Sequence, residues 1–414
     1  MLTSRFIKPR YDGYCFADLP ATIQYWLTGQ GQPALAPELL GRFAGQYDTV
    51  IFMFIDAFGW RFFEPYRDQY PFLQQFSQPA KITSQFPSTT TAHVTCMHTG
   101  QAVGQSGLYE WHMYDPTLDD MITPFMFSFS GDKSAETLQQ LRVSPFDLYP
   151  PPSTLYYTLM QQGITSTLIQ PSSLIKSTYS QYVQRGAHEI IPYKTLPEAL
   201  VNLRLSLLTR QTPAYYFFYY PTLDTICHDY GPNSPQLTAE IDTFLLTMER
   251  LFYQPLQGKL DNTLLVLTAD HGQVEVNPKT TVYLNLDPRF AGIEEFIKTN
   301  RHGRKLIPAG SPRDMFLYIK AEKLVEAHHF LATRLAGQAE VCLVADLIKE
   351  GYFGSQAVSA AFLQRVGNLV ILPYPHESVW WYEAERFEQT FYGHHGGLTA
   401  AEMEIPLLLS DFSR

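Results

Sequence analysis

The sequence lacks paired cysteines, a basic excess and any long apolar run. Its four cysteines, Cys15, Cys96, Cys227 and Cys342, are scattered with no C-x-x-C pair. That pattern fits a reduced, cytoplasmic protein and gives no sign of a disulfide scaffold. The net charge is -10, from 40 acidic against 30 basic residues, and this argues against a nucleic-acid polymer as partner, which would need a basic stripe. It leaves room for a small phosphorylated substrate, because bound divalent cations can reverse the local field. No stretch approaches the roughly 18 apolar residues of a membrane span, so no membrane partner is expected. The aromatic run from Tyr215 to Tyr220 is far too short and reads as a buried strand. The first residues, MLTSRFIKPRYDGY, carry no apolar core of a secretory signal. No internal repeat or low-complexity tract is present.

What the chain does have is bulk and alternation. Its 414 residues, 45% hydrophobic and 14% aromatic, suffice for a main domain plus a smaller one. Residues 48–55 form a continuous apolar run of the kind that becomes a strand covered on both faces. A second strand is expected over 80–86, broken by Pro87, and a helix from Thr91 to Thr99, ended by Gly100. Helix-like spacing at 153–163, 195–210 and 235–256 alternates with strand-like runs at 164–170, 214–221 and 263–268. The expectation is an α/β fold, a three-layer sandwich around a mostly parallel sheet. Between Gly272 and about Tyr374 the texture changes to a smaller α+β insertion. The expected division is therefore a core of 1–275 and 375–414, with 276–374 inserted as a cap.

Four fragments far apart in the chain carry ionisable groups at the ends of apolar runs: Asp56, Asp224 with His228, Asp270-His271, and His395. Open α/β sheets place ligand chemistry at the carboxyl ends of strands. Asp224 and His228 are four apart, so one helical turn aims both at one point. Taken singly, each residue has an ordinary explanation as a helix cap or surface side chain. Jointly, four such coincidences at four strand ends are hard to sustain. Three aspartates and three histidines suit a borderline metal such as Zn²⁺, with Mn²⁺ as the alternative. The hydroxyl run from Ser88 to Thr91 centres on Thr90. It serves equally as a helix cap or as a nucleophile facing the positive end of a helix. The residues point to two-metal phosphoryl transfer.

The order Asp, F-P-[ST]-x-T, D-x-x-x-H, D-H-G and H-G-G resembles the alkaline phosphatase superfamily. Within it, the chain resembles the type I phosphodiesterase/nucleotide pyrophosphatase family, over roughly 46–275 and 388–410. The resemblance implies an alkaline phosphatase-like sheet and two zinc ions. Asp56, Thr90, Asp270 and His271 would hold one ion, and Asp224, His228 and His395 the other. His395 is preferred to His394 because the family's histidine directly precedes the glycine. Thr90 would attack phosphorus and carry a phospho-threonine intermediate.

The chain also departs from that family. Phe-Pro-Asn usually follows the nucleophile there, and here Thr91, Ala92 and His93 stand instead. Trp111 falls where an asparagine amide normally contacts a phosphate oxygen, so Thr91, His93, Trp111 and His112 are the candidate substrate contacts. The expected activity is hydrolysis of a phosphodiester or pyrophosphate in a small soluble substrate. A phosphomonoesterase, a phosphonate hydrolase and a metal-retaining binding protein are the alternatives. The sequence sets no oligomeric state.

Overall fold

The computed structural model describes residues 2–149 and 153–412. The central sheet has seven strands: β1 Thr49–Ile55, β2 Ala80–Thr83, β3 Thr165–Pro171, β4 Glu189–Tyr193, β5 Ala214–Tyr220, β6 Thr263–Thr268 and β7 Glu404–Asp411. Their order across the sheet is β2-β7-β6-β1-β5-β3-β4. β1 pairs in parallel with β5 and β6, and β3 in parallel with β4 and β5. Only β7 opposes its neighbours. The expected mostly parallel α/β architecture is present. Every residue of β1, β5 and β6 is buried, which explains why their sequences read as unbroken apolar runs and not as alternation.

The helices that matter to the site follow these strands. α1, Thr90–Thr99, ends where Gly100 adopts φ 72 and its N–H returns to the Cys96 carbonyl at 2.7 Å. α2, Leu196–Leu208, opens with a reciprocal cap between Thr195 and Glu198. α3, Thr222–Tyr230, carries the D-x-x-x-H pair. α4, Pro235–Thr247, starts on the Ser234 side chain and passes into a π-helical turn at Met248–Tyr253. No helix among the described residues is long and apolar enough to cross a membrane.

Two elements escaped the sequence reading. β4 is an edge strand whose residues before the buried Tyr193 are exposed or half-exposed and include a proline, so it lacks the apolar signature of its neighbours. Residues 113–129 form a small antiparallel three-stranded sheet, whose strands of two to four residues leave no readable period.

A further antiparallel sheet joins Met315–Leu317, Leu369–Pro373 and Ala339–Leu343. Alternation splits its two faces. Phe316, Val370 and Leu372 join the main core, while Met315, Leu317, Leu369 and Ile371 join a second cluster that also holds Trp380, Trp381 and Phe387. The fully buried Arg313 ties this region to the C-terminal segment. Its guanidinium donates to both Glu402 oxygens at 3.0 Å and to the Pro373 and Tyr374 carbonyls.

Such a pair is costly to break because a lone buried charge remains. Arg313→Ala is expected to lower stability by about 3–5 kcal/mol. The measurement is a lower urea midpoint at unchanged slope. The double variant Arg313→Met/Glu402→Leu strands no charge, so it should lose less than the single variant. A single-variant loss near zero would contradict this account.

Candidate metal centre and active site

Each acidic fragment leaves the carboxyl end of a parallel strand on the same edge of the sheet. Asp56 directly follows β1, and its N–H donates to the Tyr220 carbonyl at 3.0 Å. Ala57, at φ 60, turns its own N–H onto Asp270 Oδ1 at 3.1 Å. Asp270 and His271 follow β6, and Asp224 lies in the first turn of α3 after β5. The sheet continues from β1 to β5 on one side and to β6 on the other. The chain thus crosses over at β1, the type of crevice where α/β folds hold ligands.

The fourth fragment comes from near the C-terminus. Gly393–His394 pairs antiparallel with Val274–Glu275, three residues past His271. On its other side Ser88 clamps the same loop. Ser88 N–H donates to the Gly396 carbonyl, Gly396 N–H donates to Ser88 Oγ, and Ser88 Oγ donates to the Gly397 carbonyl. Gly396 has φ 122, and a Cβ there would fall 2.5 Å from Ser311 Oγ and 2.6 Å from Asp314 Oδ1. The first glycine of the loop's H-G-G is therefore sterically required. Gly272 is similarly constrained, since its Cβ would meet the Ala401 carbonyl at 2.2 Å.

His271 occupies the middle. Its Nε2 lies 3.2 Å from Asp270 Oδ2, 3.6 Å from Asp56 Oδ1 and 3.2 Å from Thr90 Oγ1. Its ring stacks on that of His395, with centroids 3.7 Å apart. His395 Nε2 is 3.7 Å from Asp224 Oδ1, and His228 Nε2 is 3.4 Å from Asp224 Oδ2. Two groups of ligand-type atoms converge within 4.8 Å: Asp56, Asp270, His271, and Asp224, His271, His395. The structure thus brings together all seven residues proposed from sequence, Thr90 and His228 included.

The donor set fits metal ions on three counts. First, His228, His271 and His395 each direct Nδ1 to a backbone carbonyl, those of Gly393 at 2.8 Å, Gly272 at 3.1 Å and Ser88 at 2.8 Å. A carbonyl only accepts, so the proton sits on Nδ1 and the Nε2 lone pair faces the centre. Second, each buried carboxylate is half-satisfied. Tyr219 donates to Asp56 Oδ2 at 2.6 Å, while Asp56 Oδ1 has no hydrogen-bond partner. Ala57 and His271 N–H groups serve Asp270 Oδ1, while Asp270 Oδ2 has none. Third, burial pushes the Asp56, Asp224 and Asp270 carboxyls up, with repulsion from neighbouring aspartates adding to it at Asp56 and Asp270, and Asp270 reaches about 7. Burial pushes the His271 and His395 imidazoles well down. A divalent cation favours the ligating form of every one of these groups.

The remaining sequence candidates divide. Trp111 and His112 line a cavity of about 360 Å³ that also takes in Thr90, Asp224, His228 and His395. Thr91 and His93 do not reach it, and this corrects the sequence expectation. Both are fully buried on the inner side of α1. His93 Nδ1 donates to the Thr89 carbonyl at 2.8 Å, and its Nε2 lies 2.9 Å from both Gln85 N and Ser84 Oγ. Through Ser84, whose Oγ donates to the Asp270 carbonyl at 2.6 Å, the loop before α1 is tied to the end of β6. The hydroxyl run is not a side-chain cap either. Thr89 occupies the capping position without a capping hydrogen bond, and Thr90 is the first helical residue.

Sequence reasoning missed the residues that aim the ligands. Gln273 Nε2 donates to Asp224 Oδ1 at 2.6 Å and is fully buried. Tyr219, Ser88 and the Gly393 carbonyl act in the same way. None carries a spacing signal, because each contact forms only when distant segments meet. Glu110, a buried carboxyl on the cavity wall, also went unnoticed, hidden among aromatic residues.

The model of one family, described as type I phosphodiesterase / nucleotide pyrophosphatase, matches residues 50–398. No curated protein matches the chain in sequence. Among solved structures, murine ectonucleotide pyrophosphatase/phosphodiesterase 5 is similar at TM-score 0.62 and 18% identity, covering 88% of each chain. An inactive form of the murine protein in complex with AMP gives 0.60 and 17%, and the human protein 0.62 and 16%, each over 88% of both chains.

The raised carboxyls predict how metal removal depends on pH. A carboxyl held above its ordinary value stabilises the metal-free fold at low pH, and that contribution is lost as pH rises through the folded value. For Asp270 the window runs from about 4 to about 7. Metal binding strengthens over the same window, since the ligands must lose protons. The rise in Tm on returning Zn²⁺ to chelator-treated protein should therefore be larger at pH 7.5 than at pH 5. An equal or smaller rise at the higher pH would contradict this electrostatic picture.

Proposed function

We propose that this chain, which belongs to the type I phosphodiesterase/nucleotide pyrophosphatase family of the alkaline phosphatase superfamily, hydrolyses a small soluble phosphodiester or pyrophosphate through Thr90 and two zinc ions. The observation that carries the reading is the Thr90 hydroxyl at the start of α1, 3.2 Å from the central His271 and on the wall of the cavity. The donor set of three aspartates and three histidines supports zinc over a harder cation. In this reading Asp56, Thr90, Asp270 and His271 would hold one ion, and Asp224, His228 and His395 the second. Bound there, the pair would favour the alkoxide of Thr90 and neutralise charge developing on the phosphoryl oxygens.

The side chains account for the remaining chemistry. Thr90 Oγ forms a bond to phosphorus as the bond to the leaving oxygen breaks, and that oxygen departs with one ester arm. The phosphoryl group then resides on Thr90 until water displaces it and restores the hydroxyl. The N–H groups of the first turn of α1 favour the phosphoryl oxygens in both steps. Gln273 and Tyr219 hold Asp224 and Asp56 in place throughout. The AMP complex of murine ectonucleotide pyrophosphatase/phosphodiesterase 5 supports a small phosphate ester as the substrate class here. A reducing, cytoplasmic setting is also proposed, supported by four unpaired cysteines.

Thr90→Ala is expected to abolish turnover of bis-p-nitrophenyl phosphate while bound metal and Tm stay near wild type. Asp270→Asn is expected to lower metal content from two ions toward one, measured by elemental analysis. Substantial activity in the first variant would remove Thr90 as nucleophile. Faster cleavage of p-nitrophenyl phosphate than of the diester would replace the diesterase reading with a monoesterase.

A further inference from the structure

We propose that Gln273 is a positioning residue for one ion alone. It sets how tightly the protein holds the ion at Asp224, His228 and His395, and leaves the ion at Asp56, Thr90, Asp270 and His271 untouched. The inference rests on the two-ion reading above and makes the first of these ions the more easily lost.

The two donor sets are unequal. Asp56 and Asp270 bring two carboxylates to one ion, and their side chains are 3% and 0% exposed. The other set has a single carboxylate, Asp224, beside two imidazoles. The Asp224 and His228 side chains are 16% and 13% exposed on the cavity wall. With one anion to hold it, that ion depends on where the Asp224 carboxylate points.

Asp224 is aimed from outside its own helix. Gln273 Nε2 donates to Asp224 Oδ1 at 2.6 Å and to the Asp224 carbonyl at 3.1 Å. Turning the amide over would set its oxygen against two acceptors, so these contacts fix which end is nitrogen. Arg61 donates to the Gln273 carbonyl at 3.1 Å and steadies the backbone. Space for the side chain comes from Gly393, where a Cβ would fall 2.5 Å from Gln273 Oε1 and 2.4 Å from the Cys227 carbonyl. The Gly393 carbonyl in turn accepts from His228 Nδ1. Gln273 therefore stands against the supports of two ligands of the same ion.

The glutamine also carries a penalty. It is fully buried, and its Oε1 has no hydrogen-bond partner among the described residues. A buried acceptor without a donor destabilises the fold. Methionine would fill similar space with no polar atom to strand. Glutamine at this position works against stability and in favour of Asp224.

The test strips the full chain with chelator, dialyses it against buffered Zn²⁺ and counts bound zinc by elemental analysis. Gln273→Met should need about 10–100-fold more free Zn²⁺ to load its second ion, the usual effect of losing an outer hydrogen bond to a ligand. Its first ion should load as in the wild type, and its metal-free Tm should not fall. Gln273→Glu keeps the shape, replaces the donor with a carboxylate and should weaken the same ion; it serves if the methionine variant does not fold. Combination with Asp270→Asn identifies the ion. At a free Zn²⁺ concentration where each single variant holds one ion, the double variant should hold none. Unchanged loading in both Gln273 variants, or a double variant that keeps one ion, would overturn the proposal while leaving the two-ion reading in place. Equal weakening of both ions with a lower metal-free Tm would overturn it too, since the role would then be structural. A wild type that takes up fewer than two zinc ions would instead overturn the two-ion reading and this inference with it.

Discussion

Two buried aspartates and a half-buried third, within reach of one another and with no lysine or arginine against them among the described residues, set the electrostatic problem that this fold is arranged around. Asp56, Asp224 and Asp270 leave three neighbouring parallel strands, and each carboxyl is pushed up by burial, with repulsion from the others adding to it at Asp56 and Asp270. A scaffold built only for stability would place arginine or lysine there, or replace the acids with apolar residues of similar volume. Instead the surrounding groups orient the acids without neutralising them. Tyr219, Gln273 and the Ala57 amide each donate to one oxygen of an aspartate, and the second oxygens of Asp56 and Asp270 stay free toward the centre. The histidines follow the same rule, with Nδ1 spent on a carbonyl and Nε2 turned inward. The metal-free centre therefore stores unfavourable charge that divalent cations relieve.

Keeping such a centre assembled requires rigid ties between distant segments. Ser88 holds the His395 loop on one side and lies two residues before Thr90 on the other, so a single residue sets the approach of Thr90 to its imidazole partners. The Arg313–Glu402 pair does similar work on a larger scale. Glu402 accepts from Gly397 and Thr399 beside the histidine loop, while Arg313 grips the carbonyls at the end of Leu369–Pro373. This antiparallel sheet is anchored within a few residues of the site and not at the periphery. This explains how Gly310 to Pro312 and the segment from Trp380 to Phe391 can form one wall of the cavity.

The sequence made the centre legible and its surroundings opaque, for a physical reason. Strands buried on both faces announce themselves as apolar runs, and an ionisable residue at the end of such a run is conspicuous because burial there is expensive. Asp56, Asp270 and His271 stand out in this way, and Asp224 with His228 adds helical spacing. The exposed edge strand Glu189–Tyr193 and the short hairpins of 113–129 have no such signature. Thr91 and His93 looked like substrate contacts because they adjoin Thr90 in sequence. Every residue of that helix from Thr91 to His98 is buried, however, so adjacency to Thr90 in sequence does not bring a side chain to the cavity. Gln273 gave no warning, since what matters about it is a single long-range contact.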